Sequence, residues 1–150
     1  MKKLNKKILL ALVVALVGTA VFIYIESLLP QTTTGEKTIT ISFVDEVSNP
    51  TITIFENLEY QTNSLTLGQF LDEIKEDKDI KIGCTDSQYG RCIEGIGSLL
   101  SDFNNAEGPW ILYSSQDNQS CLNVGYCPGI DELAINDGDN FQFTFTNTFE

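Results

Sequence analysis

The 150-residue chain contains no histidine, only one arginine and one tryptophan, and very few basic residues beyond its first seven positions. Without histidine, Ser–His and Cys–His nucleophile pairs and histidine-ligated metals are excluded. Four of the nine Lys and Arg residues are Lys2, Lys3, Lys6 and Lys7, and no acidic residue precedes Glu26. Residues 26–150 thus hold five basic against 21 acidic side chains, a net of −16 where the whole chain is −12. A surface so poor in Lys and Arg cannot neutralise phosphates, which argues against nucleic acid as a partner. No phosphate loop, nucleophile motif or convincing carboxylate pair is present, so no catalytic residue and no cofactor are assigned and an enzyme is not expected.

What is present begins with an uncharged run, ILLALVVALVGTAVFIYI, from Ile8 to Ile25. As a helix it would reach ~27 Å, close to the ~30 Å of a bilayer's hydrocarbon core. The lysines before it place residues 1–7 in the cytoplasm and the remainder outside the membrane. The expectation is a single-pass signal anchor at 8–25. The alternative is a cleaved signal peptide, with Gly18 and Ala20 as a small-residue site and a secreted product. Residues 26–37, with Pro30, a threonine run and Gly35, have the composition of a tether, and a folded body is expected over 38–150.

Cys84, Cys92, Cys121 and Cys127 all fall in that body. An even cysteine count in a small extracytoplasmic domain suggests two disulfides, and four cysteines allow three connectivities. The spacing favours the local pairs Cys84–Cys92 and Cys121–Cys127. Neither spacing is the Cys-x2-Cys of a zinc knuckle or redox pair, and no metal site is assigned.

Strict alternation marks strands at 38–44 and 140–146, the second with Phe141, Phe143 and Phe145 on one side. A second strand runs from Thr51 towards Tyr60, with a bulge expected near Phe55 where its phase breaks. Thr66 as N-cap, Gln69 three residues on, and the stripe Leu67, Phe70, Leu71 and Ile74 predict one helix. Short strands are expected at 80–84, 92–96 and 110–114, with Trp110 and Leu112 on one face. Ser115–Gly129 reads as a disulfide-pinned loop or hairpin, and Asp137-Gly138 as a hairpin turn. Asp137 and Asp139 could offer oxygens to a cation, but a turn alone accounts for them. Asn118-Gln119-Ser120 is a glycosylation sequon, and Asp131-Glu132 reads as solvent-facing. One helix covering one face of a mostly antiparallel sheet is an α+β fold.

The order of these pieces, LTLGQFLDEI, YGRCIEGIG, GPWILYSS and GIDELAINDGDNFQFTF, resembles the bacterial and archaeal family named for its likeness to the C-terminal domain of transcobalamin. The resemblance covers about two thirds of the body and implies a β-grasp-like sheet packed on one helix. It further implies a surface-attached or secreted binding module for a small molecule such as a corrinoid, or for a surface protein, with Trp110, Tyr113 and Tyr126 on the ligand side. The chain departs from the family at Ser114-Ser115, where an Asn-Gly turn is usual, and these 150 residues do not include the helical domain that helps enclose cobalamin. The alternative is a structural or adhesive surface domain without a small-molecule ligand.

Overall fold

The computed structural model of the chain describes residues 14–19, 35–77, 80–88 and 90–148. The chain separates into two units, Met1–Pro30 and Gln31–Glu150. In the first, residues 14–19 are helical, and the rest of the expected span at 8–25 lies outside the described residues. Among the described residues, no helix is long and apolar enough to cross a membrane. Most of the tether likewise lies outside them.

The second unit is α+β. Strands β1 (Lys37–Asp45), β2 (Ile52–Thr62), β6 (Trp110–Ser114) and β7 (Asn140–Thr146) form a sheet in the order β2-β1-β7-β6. Strands β3 (Ile82–Ser87), β4 (Gly90–Ile96) and β5 (Leu99–Leu100) form a second, antiparallel one. β1 pairs antiparallel with β2 and parallel with β7, and β6 pairs antiparallel with β7, so the larger sheet is mixed. Helix α1 (Leu67–Ile74) lies between β2 and β3 in sequence, and helix α2 (Gln119–Val124) between β6 and β7.

Period-two patterning accounts for the larger sheet. Ile39, Ile41 and Phe43 on β1 and Phe141, Phe143 and Phe145 on β7 are buried on one face, while Thr40 and Gln142 turn away. Leu67, Phe70, Leu71 and Ile74 of α1 complete the same core, and each such side chain contributes about 1.5–3 kcal/mol by leaving water. The Thr66 side chain caps the helix by accepting the Gln69 N–H at 3.3 Å. The Gln69 amide oxygen accepts the Leu65 N–H at 2.9 Å, so the reciprocal bond of the expected capping box lands one residue early. The Tyr60 hydroxyl donates to Asp77 at 3.0 Å, and its ring meets Phe70 edge-on, tying β2 to the helix end.

The phase break at Phe55 is a bulge. Ile41 faces Leu58, Phe43 faces Phe55 and Val44 faces Thr53, so β2 carries extra residues against β1, with Asn57 at φ +54°. Lys37, read as the last residue of the tether, instead opens β1 and is 1% exposed; its Nζ donates to the Ser64 carbonyl. Asp137-Gly138 does form a turn, with Gly138 at φ +85°, but not a hairpin between neighbouring strands. The turn is stitched to β1: Gly138 N–H donates to the Thr38 carbonyl, and Thr38 N–H donates to Asp137 Oδ1 at 2.8 Å.

Candidate functional site

The face of β6 and β7 opposite the core carries Leu112 paired with Thr144 and Ser114 paired with Gln142. Beside it stands the chain that follows α2, with Tyr126 and Cys127. Together they line a groove of about 400 Å³ that also takes in Glu46, Thr146 and Thr148. The Tyr126 side chain is 71% exposed. Two smaller depressions of about 270 and 260 Å³ continue the groove and share Ser114 with it. One runs over Gln116, Asp117 and Gln142, the other between Tyr126 and Leu122.

The wall holding Tyr126 is fixed covalently and by buried polar bonds. Cys121 and Cys127 are joined by a disulfide. Asn118, fully buried, caps α2 by accepting the Ser120 and Cys121 N–H groups. Gly125 ends the helix at φ +79° and donates its N–H to the Cys121 carbonyl. The same Asn118 side chain donates to the Ala134 carbonyl at 2.9 Å and to Asp139 Oδ2. Asp139 Oδ2 also accepts the Asn136 N–H at 2.8 Å. Burial raises the Asp139 carboxyl above its ordinary value, and these hydrogen bonds only partly offset it. Burial likewise lowers the Lys37 ammonium, opposed by the Asp139 charge. This network gives structural roles to two residues singled out in the sequence. The sequon asparagine is a buried cap with its amide committed, and Asp139 is a structural acceptor.

Tyr113 backs the groove. Its hydroxyl donates to the Pro128 carbonyl at 2.6 Å, its ring lies 6.5 Å from that of Phe143, and burial pushes its phenol up to about 12. Tyr113 and Tyr126 thus line the same groove. Trp110 does not line the groove. It sits on the same outer face, paired with Thr146, and packs over Gly108. Leu112 shares that face with it as expected, while Ile111 is the β6 residue buried in the core.

The other cysteine pair departs from expectation: Cys84 and Cys92 are thiols. In the β3–β4 hairpin Cys84 stands opposite Ile93 and Cys92 opposite Thr85. Directly opposed residues share a face, so the two cysteines project from opposite faces and cannot meet. Cys84 faces the side of Arg91, and burial raises its thiol pKa. Arg91 is what sequence reading missed. Its guanidinium grips both carboxylate oxygens of Asp72 on α1 at 2.8 Å and Asp131 Oδ1 at 2.6 Å, with the side chain only 17% exposed. The Asp72 hydrogen bonds, then those of Asp131, raise its pKa further. Asp131, read as solvent-facing, is thus an ion-pair partner. A Cβ at Gly68 would collide with this bridge, which explains a glycine inside α1.

Among the described residues no group of three Cys, Asp or Glu converges on a position that could hold a metal ion. No protein-family model matches the chain, and no curated protein matches it. Among solved structures, a protein of Ruminococcus gnavus ATCC 29149 named a "putative metal binding protein" is similar, with a TM-score of 0.54 and 18% sequence identity. The match covers 75% of this chain and 99% of that one. At that identity the likeness establishes a shared fold.

Proposed function

We propose that the chain is a membrane-anchored, extracytoplasmic, non-catalytic binding module with a β-grasp-like body, and that its ligand occupies the groove between the β6–β7 face and Tyr126. The observation that carries this reading is the groove itself: an exposed tyrosine ring is held over it by a disulfide and a buried capping asparagine, rigidity that a bare loop would not need. Parallel pairing of the first and last strands at the centre of the sheet supports the β-grasp reading. So does the stripe of α1 in the common core. The disulfide and the opposed charges of stub and body support an extracytoplasmic location and the anchor at 8–25. A corrinoid ligand rests on the transcobalamin-like order of motifs. The metal binding named for the similar structure finds no converging ligand set among the described residues here.

The test uses the full chain in detergent. Cyanocobalamin and other vitamins are titrated while the emission of Trp110, the only tryptophan, is followed. Saturable change that weakens in Tyr126→Ala supports the module. No response to any small molecule, combined with specific cross-linking of the body to one surface protein, would replace it with the adhesive alternative.

A further inference from the structure

We propose that the groove and its two continuations take a neutral glycan strand; the proposal rests on the binding-module reading above and specifies its ligand class. Charge makes the first selection. No lysine or arginine lines any of the three depressions, and the body around them is strongly acidic, so phosphorylated, sulfated or carboxylated ligands would enter without a counter-charge. Shape makes the second. The three depressions meet at Ser114, at the end of β6, and extend from it towards Thr146 and Thr148, towards Gln116 and Asp117, and towards Leu122. Such a band accommodates an extended oligomer of repeating units better than one compact molecule.

Side-chain chemistry makes the third. A pyranose ring has an apolar C–H face and a rim of hydroxyls. Tyr126 offers an open aromatic face to the former. For the rim the band supplies groups that both donate and accept, namely the amides of Gln116 and Gln142 and the hydroxyls of Ser114 and Thr144. Asp117 is already oriented for such a role. Its Oδ1 accepts the Ser115 hydroxyl at 2.7 Å and the Asn140 N–H at 3.0 Å, which leaves Oδ2 as a fixed acceptor. A carboxylate, two amides and an exposed ring along one open band match alternating hydroxyl and C–H surfaces. A cationic peptide would also suit the net charge, but only two carboxylates, Glu46 and Asp117, face the band.

The full chain in a non-glycosidic detergent is titrated by calorimetry with chitohexaose, cellohexaose, xylohexaose and maltohexaose. The same titrations are run with a lysine-rich peptide and with cyanocobalamin. At least one uncharged oligosaccharide should saturate. Tyr126→Ala should weaken it about tenfold, as expected for loss of one stacked ring, and Gln142→Ala should weaken it less. Leu100→Ala, at an exposed position outside these depressions, should leave it unchanged. Tyr126→Phe, which keeps the ring, should restore most of the affinity and separates loss of stacking from loss of folding. Failure of all four oligosaccharides, or binding indifferent to Tyr126→Ala, overturns the proposal. If the peptide or cyanocobalamin binds in a Tyr126-dependent way while the sugars fail, the glycan class falls and the binding module stands. Silence from every probe removes both.

Discussion

Residues 80–100 fold around a hairpin whose two cysteines remain thiols, whereas Ser115–Gly129 folds as a loop with one short helix whose two cysteines are bonded. In sequence the two pairs look alike. The difference lies in the backbone between them. A continuous ladder fixes the face of every residue, and its register sends Cys84 and Cys92 to opposite sides. A helix turn followed by an αL glycine folds the chain back on itself and brings Cys127 to Cys121. The hairpin is instead fastened by Arg91 to Asp72 and Asp131, while the loop adds the Asn118–Asp139 network to its covalent tie. Cysteine spacing alone therefore does not define a disulfide framework when one pair sits in a ladder.

The contrast can be broken at several points, the largest expected effect coming first. Asn118→Ala removes a helix cap and leaves the buried Asp139 carboxylate short of a donor. It should lower stability by about 2–4 kcal/mol in denaturant melts, and a change below 1 kcal/mol would show the network to be dispensable. Replacing Cys121 and Cys127 together by Ser should cost about 2 kcal/mol, the chain-entropy value for so short a loop, and should loosen Tyr126. Arg91→Ala should cost about 1–2 kcal/mol, because its partners are half exposed, with amide exchange rising in the β3–β4 hairpin rather than around α2. Cys84→Ser and Cys92→Ser should each change stability by less than about 1 kcal/mol. Thiol titration of the unreduced, denatured chain should count two reactive groups. Four or none would undo the contrast.

The smallest effect is one of pH. Burial raises Asp139 in the folded state. Its contribution is therefore complete below the unfolded carboxylate range, about pH 4, and is lost as pH rises through the raised folded value. Asp139→Asn cannot ionise, so its stability relative to the parent should improve between pH 4 and pH 7. An unchanged difference across that window would mean that hydrogen bonding, not ionisation, sets the worth of Asp139.

Much of the larger sheet is legible in the sequence because its strands are half buried. Alternation locates Trp110–Ser114 and Asn140–Thr146 to the residue, and the break at Phe55 locates the bulge. The Thr66 cap and the Leu67–Ile74 stripe locate the start and the buried face of α1, although the charged residues after Ile74 suggest a helix running on to Asp77–Lys78 and it ends at Ile74. Helix α2 escapes because six residues are too few to show a period. Its only sequence marks are Asn118 before it and Gly125 after it. Of the site, Tyr113 and Tyr126 are visible as aromatics near a cysteine loop, but their meeting depends on a turn that periodicity does not encode. Arg91 shows the same limit. Its partners are 19 and 40 residues away, and only the packing of α1 beside the hairpin brings them together.

Lys37 gives the start of the body a mechanical meaning. The chain enters the fold along β1, which lies between β2 and β7 and is hydrogen-bonded to both. Tension drawn along residues before Lys37 pulls β1 along its own axis. The two ladders are then loaded in shear, many bonds at once, rather than peeled open in sequence. The buried Lys37 side chain, hooked on the Ser64 carbonyl, resists the first slip.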